Sequence, residues 1–271
     1  MSLFKLSNGE ELYYEDTGGD GKVLVMMHGW TSSHDVYAEP VQMLKDKARC
    51  ITYDHRGHGG SKGANSEQVT MQTLASDLHE LLCGLDLNDV CLLGWSMGAG
   101  VVMTYLEEYG TDRLEQIILC DMTPKQINDD EWHLGLYQGA YTAQNMEADA
   151  GKKFIDLYKE FAIGAIPKLH KLPGFVLKPI LKKRLAECDE GVLRSLSKSM
   201  KAQDHRTCFE GLDIPLTYFY ANPGSLFSPE LAQWYEQHVP SEFAAVRFED
   251  ATHMLVSDQP ERFATEVAAL L

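Results

Sequence analysis

The sequence lacks long hydrophobic runs. No stretch approaches the ~20 apolar residues that a helix needs to cross a bilayer, and the first residues lack the apolar core of an export signal. From these absences we expect a cytoplasmic protein with no integral membrane segment. The alternative for the location is that a signal peptide has been removed.

Basic residues are also scarce. The 24 Lys and Arg residues against 40 Asp and Glu residues give a formal net charge of −16. A surface of this sign repels phosphate backbones, so we expect no nucleic-acid partner. Hydrophobic residues make up 44% of the 271 residues, which is enough to bury a substantial core in one large domain or in one domain with an insertion.

Recognisable cofactor, metal and disulfide motifs are absent. The six cysteines form no C-x-x-C pair, and Cys50, Cys91 and Cys120 fall in apolar runs, so we expect buried, reduced thiols. H-E-x-x-H and G-x-x-x-x-G-K-[ST] do not occur. We therefore expect no metal and no organic cofactor, and interpret loop 54–61 as structural, with His55 and His58 solvated or hydrogen-bonded.

The clearest positive signal lies in residues 90–106. Val90 to Leu93 predict a buried strand and Ala99 to Leu106 predict a helix, with the turn Gly94-Trp95-Ser96-Met97-Gly98 between them. Its glycines permit a very tight turn, which would hold Ser96 at the tip beside a helix N-terminus. We interpret Ser96 as a nucleophile. A small-residue turn without chemistry is the alternative.

Strands and helices alternate along most of the chain, which is typical of an α/β fold with a mostly parallel sheet. Asn8-Gly9 predicts the turn of an opening β-hairpin. Further strands are predicted at Val23–Met27, Ala48–Tyr53, Leu114–Cys120, Leu216–Ala221 and Ala244–Phe248, and helices at 70–83, 229–238 and 260–271. Active groups should gather at the carboxyl ends of the parallel strands.

The pattern changes between residues 124 and 206, where helical segments broken by prolines replace strands. We interpret residues 124–206 as an inserted helical cap and residues 1–123 and 207–271 as the core domain. Cap aromatics are candidate substrate-binding residues, although packing inside the cap is the alternative. They are Trp132, Tyr137, Tyr141, Phe154 and Phe161.

One part of the cap is basic in an otherwise acidic chain. Residues 161–186 contain no acid but six basic residues: Lys168, Lys171, Lys178, Lys182, Lys183 and Arg184. Such a segment could contact a membrane surface or an anionic substrate. A solvated helix face, with lysine stems lying over apolar surface, is the alternative.

Several motifs together resemble the α/β-hydrolase family. They are His28-Gly29-Trp30, Asp54-x-Arg56-Gly57-x-Gly59-x-Ser61, the turn at Ser96, and a late His253 followed by Asp258-Gln259-Pro260. The resemblance covers nearly the whole chain and is weakest in the cap. It implies an eight-stranded, mostly parallel sheet with a cap inserted after the sixth strand, and a catalytic triad in the chain order Ser, Asp or Glu, His.

The resemblance also implies residue roles. Ser96 matches the nucleophile, His253 the base, and the backbone N–H groups of Trp30 and Met97 the oxyanion donors. His28 matches a position that supports the oxyanion loop.

The acid departs from the usual pattern. Most members carry it after the seventh strand, where this chain has Gly224. Some members, such as the haloalkane dehalogenases, place it after the sixth strand, where Asp121 stands. We expect Asp121 to be the triad acid, because an imidazole without an acid would have nothing to define its tautomer. A loop-bracing aspartate is the alternative.

These residues predict a serine hydrolase that cleaves small to medium acyl esters through an acyl-enzyme. Its partner would be a small-molecule ester. A C–C bond hydrolase or a cofactor-free perhydrolase could use the same triad. A ligand-binding receptor that keeps the fold without turnover is an alternative from a different class.

Overall fold

The computed structural model describes residues 2–63 and 69–271, in which eight strands form one sheet. The strands are β1 Ser2–Lys5, β2 Glu11–Asp16, β3 Lys22–Met27, β4 Ala48–Tyr53, β5 Val90–Trp95, β6 Leu114–Cys120, β7 Leu216–Gly224 and β8 Phe243–Thr252. Their order across the sheet is β1-β2-β4-β3-β5-β6-β7-β8, with β2 antiparallel to both its neighbours and the remaining pairs parallel. The predicted α/β class and mostly parallel eight-stranded sheet are confirmed.

Helices cover both faces of the sheet. They are α1 Ala38–Leu44, α2 Met71–Gly84, α3 Met97–Tyr109, α4 Ala143–Asp149, α5 Phe154–Ala165, α6 Gly174–Leu185, α7 Glu190–Ala202, α8 Leu231–His238, α9 Leu255–Asp258 and α10 Pro260–Leu270, with 3₁₀ turns at His34–Tyr37, Gly59–Ser61 and Pro167–Lys171. Helices α1, α9 and α10 pack on one face, and α2, α3 and α8 on the other. No helix of the described residues is long and apolar enough to cross a membrane.

The central strands are apolar on both sides because both sides are covered. In β5, Val90 and Leu92 enter one buried cluster, while Cys91, Leu93 and Trp95 enter the other. Successive side chains of a strand point to opposite faces, so a strand between two helical layers needs a continuous apolar run. This is the physical basis of the strand predictions made from such runs.

Two predicted strands end three or more residues before the observed strands do. We predict that β7 ends at Ala221, but it continues to Gly224, with Asn222 opposite Glu249 and Gly224 opposite Thr252. The register shifts between these pairs, and this irregularity accommodates Pro223, which has no N–H for a ladder. Strand β8 likewise extends to Thr252, four residues beyond its predicted end at Phe248.

The two ends of residues 124–206 lie side by side. Lys125 and Asp204 form an isolated antiparallel bridge, and the His205 N–H donates to the Pro124 carbonyl over 2.9 Å. Between these points lie α4, α5, α6 and α7. A hydrogen bond joins α7 to α2, in which the Met71 N–H donates to Ser199 Oγ over 3.0 Å.

All six cysteines are free. Cys50, Cys91 and Cys120 are buried, as predicted. Cys83 is exposed, contrary to the expectation of buried thiols, because it lies on the solvent side of the last turn of α2.

Helix α3 crosses the sheet at very short range. A Cβ atom on Gly98 would lie 2.2 Å from the Met27 carbonyl oxygen in β3, and one on Gly94 would lie 2.4 Å from the Gly98 carbonyl. Both neighbours are backbone atoms of packed elements, so neither can move without displacing a strand or helix. The two glycines are therefore required by packing.

We predict that Gly98→Ala lowers the free energy of unfolding by at least about 1–3 kcal/mol, because the added methyl group overpacks the α3–β3 contact. The matched control is Gly151→Ala, where an added Cβ has no atom within 4 Å. Urea unfolding measures both variants. Equal stability of the two would contradict the close contact.

Candidate active site

Ser96 occupies a strained turn between β5 and α3. Its backbone has φ 55° and ψ −120°, a region that residues with side chains rarely adopt. The Ser96 N–H donates to the Cys120 carbonyl over 2.9 Å, and the Ser96 carbonyl accepts from the Ala99 N–H over 2.9 Å. The neighbouring strand and the first turn of the helix thus hold the serine in this conformation.

Three strand ends bring Ser96, His253 and Asp121 together. His253 Nε2 lies 2.8 Å from Ser96 Oγ, and His253 Nδ1 lies 2.7 Å from Asp121 Oδ2. An ionised carboxylate only accepts hydrogen bonds, so Nδ1 carries the proton and Nε2 is free to accept from the serine hydroxyl. Ser96 is 8% exposed, His253 1% and Asp121 0%.

The Asp121 carboxylate has further donors from β7 and the loop after it. Ser225 Oγ lies 2.8 Å from both carboxylate oxygens, and the Ala221 N–H donates to Oδ1 over 3.2 Å. The Phe227 N–H in turn donates to Ser225 Oγ over 2.9 Å. Sequence reasoning missed Ser225. The available signal was its position, directly after the glycine that stands where the family usually has its acid.

Gly224 has a backbone role that excludes a side chain. Its carbonyl accepts from the His253 N–H over 3.0 Å, and a Cβ at this position would lie 2.5 Å from the Ala251 carbonyl oxygen. The end of β8 therefore fills the space that a side chain at residue 224 would need. On the other side, the Trp95 indole N–H donates to the His253 carbonyl over 2.8 Å.

The loop after β3 approaches Ser96 closely. A Cβ on Gly29 would lie 3.0 Å from the Ser96 Cβ, so glycine permits this approach. The backbone N–H groups of Trp30 and Met97 have no hydrogen-bond acceptor within residues 2–63 and 69–271. The Met97 N–H is one of the unpaired donors that open helix α3.

Buried histidines tie this loop to the loop after β4. His28 Nδ1 donates to the Gly29 carbonyl over 2.9 Å, and His28 Nε2 accepts from the His55 N–H over 3.0 Å. His58 Nε2 accepts from the Thr31 N–H over 3.3 Å. The two contacts to Nε2 hold the loops together, and each needs a neutral imidazole because the accepting nitrogen must be unprotonated.

His55 and His58 are buried, so the expectation of a solvated or hydrogen-bonded side chain is met for His58 by a hydrogen bond and is wrong for the ring of His55. His58 is hydrogen-bonded, whereas neither ring nitrogen of His55 has a partner among the described residues. Burial lowers the pKa of His55 to about 3 and that of His58 to about 4. Burial also lowers the pKa of His28 well below its usual value.

Two cavities border Ser96. The larger, of about 400 Å³, has Tyr137, Tyr141 and Phe154 in its wall. The smaller, of about 260 Å³, also reaches His253. Ser96, Trp30 and Phe161 line both cavities, so the serine stands where they meet.

Trp132 is the exception among the candidate substrate-binding residues, because it lines neither of these cavities. Its ring packs edge-to-face on Trp234 with centroids 5.3 Å apart, and its indole N–H donates to the Lys125 carbonyl over 2.8 Å. It is 3% exposed. Trp132 thus packs the first part of residues 124–206 against α8. This is the packing alternative rather than the expected contact with substrate.

Charged side chains also line the larger cavity, and two of them, Lys201 and Asp149, pair with each other. Lys201 Nζ donates to the Tyr141 hydroxyl over 2.9 Å and lies 3.8 Å from Asp149 Oδ2. The Tyr141 hydroxyl donates to the same carboxylate. Burial lowers the pKa of the Lys201 ammonium. The rest of the wall is mainly apolar and includes Met122, Leu136, Leu157 and Phe227, together with the charged residues Glu147, Glu160, Arg194 and Lys198.

A metal site is not found in the part of the chain that the structure describes. No group of three or more His, Cys, Asp or Glu side chains there is arranged to hold an ion.

A serine on a strained strand-to-helix turn, hydrogen-bonded to a histidine and through it to an aspartate at neighbouring strand ends, defines the class of α/β-hydrolase folds. The chain belongs to this family, since a model of the alpha/beta hydrolase fold matches residues 22–260.

Known proteins with similar sequences carry several activities in their names. The chain is 35% identical over 125 residues to a non-heme chloroperoxidase of Kitasatospora aureofaciens, a match covering 46% of this chain and 45% of that protein. The first curated relatives are thus matched over less than half of their length. A pimeloyl-acyl-carrier-protein methyl ester esterase of Nitrosomonas europaea is 23% identical over 94% of this chain and 98% of that protein.

A solved structure agrees over the whole fold. The bromoperoxidase from Bacillus anthracis superposes with a TM-score of 0.81 at 26% identity, covering 99% of this chain and 98% of that one. The similarity therefore includes the helical segment between β6 and β7 as well as the sheet.

The buried histidines predict a loss of stability in acid. Their folded pKa values lie below the unfolded value of about 6.5, so below that pH the unfolded chain binds protons that the folded chain does not. Stability is therefore complete above about pH 6.5 and falls on acidification towards pH 4, by about 1.4 kcal/mol per pH unit for each such histidine. Urea unfolding between pH 7 and pH 4.5 measures this slope.

His55→Leu should reduce that slope by about one histidine's share, because it removes one of the groups that the unfolded chain protonates. The ring nitrogens of His55 make no hydrogen bond that leucine would lose, so the fold should be kept. His133→Gln, at an exposed position, is the control. A slope that His55→Leu leaves unchanged would contradict the assignment.

Proposed function

We propose that this protein is a serine hydrolase that cleaves small to medium acyl esters. The observation that carries the proposal is the continuous hydrogen-bonded series from Asp121 through His253 to Ser96, buried beside two cavities. Such a series gives an otherwise weak hydroxyl nucleophile a base and gives that base a defined tautomer.

In the first half of the reaction, Ser96 Oγ attacks the ester carbonyl carbon while His253 Nε2 takes the hydroxyl proton. Asp121 stabilises the resulting imidazolium through Nδ1. The imidazolium then gives its proton to the departing alcohol, leaving an acyl group on Ser96. In the second half, water activated by the same histidine attacks the acyl-enzyme and releases the acid.

The unpaired N–H groups of Trp30 and Met97 are the proposed oxyanion donors. Negative charge develops on the carbonyl oxygen during attack, and preorganised backbone donors stabilise it more than they stabilise the neutral ester. The helix dipole of α3 adds to this effect at Met97. Gly29 supports the arrangement by allowing the Trp30 loop to approach the serine.

The substrate preference follows from the cavities. An ester carbonyl at Ser96 would place its acyl group in one cavity and its alcohol group in the other. Both walls are largely apolar, and the ion pair of Lys201 with Asp149 is internal, so a neutral ester with apolar groups fits best. We propose that residues 124–206 act as the cap that shapes these cavities.

Transfer of the acyl group to hydrogen peroxide is the second candidate. The supporting observation is the similarity to a chloroperoxidase and a bromoperoxidase. Peroxide would replace water as the nucleophile that attacks the acyl-enzyme, releasing a peracid. Assaying peracid from an ester in the presence of hydrogen peroxide separates this reaction from simple hydrolysis.

We predict that Ser96→Ala lowers turnover of p-nitrophenyl esters by up to about 10⁶, because no other group can form the acyl-enzyme. A fluorophosphonate probe should label the parent and not the variant. Ser257→Ala, at an exposed serine four residues after His253, is the control. An unlabelled but folded parent would favour a binding protein without turnover.

We predict that Asp121→Asn lowers turnover by about 10³–10⁴ with the fold retained, because an amide favours the wrong histidine tautomer and cannot stabilise imidazolium. Asp250→Asn is the matched control, since Asp250 is exposed. Adding Ser96→Ala should cost far less than the product of the two single losses.

Gly224→Asp should not rescue Asp121→Asn, because its Cβ would collide with the Ala251 carbonyl. If Asp121→Asn kept turnover within about threefold of the parent, Asp121 would not be the triad acid.

A further inference from the structure

Helix α6 has an outward face that is both apolar and exposed. Phe175 is 82% exposed, Ile180 is 49% exposed and Val176 is 36% exposed. Leu177 and Leu181, one turn apart, are buried and attach the helix to the protein. The exposed apolar residues are therefore not needed to attach the helix to the protein.

Lysines surround these apolar residues. Lys178, Lys182 and Lys183 lie on the same helix and are exposed. None of them forms an ion pair within the described residues, whereas Arg184 is paired with Glu187 at 3.2 Å. We define the α6 patch as Phe175, Val176, Lys178, Ile180, Lys182 and Lys183.

The combination of exposed aromatic and aliphatic side chains with unpaired ammonium groups fits an anionic lipid surface. A bilayer offers acyl chains at shallow depth for the apolar side chains and phosphate or carboxylate groups for the lysines. Flexible lysines suit a fluid array of charges better than one fixed protein surface, for which planar arginines are usually used.

The acidic net charge of the chain does not cancel this attraction. Charges at a protein surface are screened beyond about 8–10 Å at physiological salt, so the field near the α6 patch is set by its own lysines. Residues 161–186 contain no acid, and the first acid after them, Glu187, is paired with Arg184. A protein of charge −16 would be repelled in other orientations, so binding would orient it.

The patch lies on the outer side of a cavity wall. Ile180, Leu181 and Arg184 line the smaller cavity, which also contains Ser96 and His253. A bilayer in contact with α6 would therefore lie next to this cavity.

We propose that the α6 patch docks the protein on the surface of bilayers that contain anionic phospholipids. The lysines supply electrostatic attraction, and Phe175, Val176 and Ile180 enter the boundary between headgroups and acyl chains. This docking does not depend on the proposed ester hydrolysis, because it requires neither the residues of the proposed triad nor the N–H groups of Trp30 and Met97.

Flotation of the full chain with vesicles tests the proposal. The parent should float with vesicles of phosphatidylcholine mixed with phosphatidylserine, and much less with phosphatidylcholine alone or in high salt. The triple variant K178Q/K182Q/K183Q should bind about a hundredfold more weakly, at about fivefold for each charge removed. F175S/I180S should lose binding to both vesicle types.

Matched controls alter the same residue types elsewhere. L3S changes an apolar side chain that is 59% exposed on β1, and K5Q/K45Q/K47Q removes three exposed lysines from other elements. Both should bind as the parent does. Ser96→Ala should also bind normally, so a failure of the catalytic proposal is distinguishable from a failure of this one.

Three results would overturn the docking proposal. One is absence of the parent from the vesicle fraction, and another is binding that the α6 variants leave unchanged. The third is a lipid-independent dimer, seen by sedimentation, that F175S/I180S abolishes, which would identify a second copy of this chain as the occupant.

Discussion

A fully buried carboxylate must find its hydrogen bonds in the protein, and Asp121 meets this constraint by drawing together the ends of three strands. It follows β6, accepts from Ala221 in β7 and from Ser225 just beyond it, and accepts from His253 after β8. Leaving the charge unpaired would be costly, so the position of the histidine is tied to the position of the acid.

The serine side of the site depends on close backbone approach. Gly98 lets α3 lie against β3, and Gly29 lets the following loop reach Ser96. The buried histidines then connect that loop to the one after β4 through backbone N–H groups. Precision at the site thus comes from parallel strands that end at one edge, with small residues at the crossings and neutral imidazoles between the loops.

The helical segment between β6 and β7 has side chains that face the Ser96 site and side chains that face solvent. Phe154 and Phe161 contact the Trp30 ring edge-to-face, at centroid distances of 5.8 and 5.2 Å, and so enclose the space above Ser96. Helix α6 is held by the buried Leu177 and Leu181 and by the hydrogen bond from Arg184 to Ser32, while Phe175, Val176 and its lysines are exposed. The proposed substrate cavities and the proposed docking patch thus lie on neighbouring helices of this segment.

The sequence by itself determined the α/β class, the strands of the central sheet and the Ser96 turn, because continuous apolar runs and G-x-S-x-G are local patterns with few physical solutions. It also pointed to Asp121 and His253 as partners, a role that stays a prediction. Tertiary structure alone decided that Trp132 packs on α8, that His55 and His58 are buried, and that Ser225 contacts Asp121. These facts depend on which distant elements meet, and side-chain contacts between distant elements leave no periodic trace along one chain.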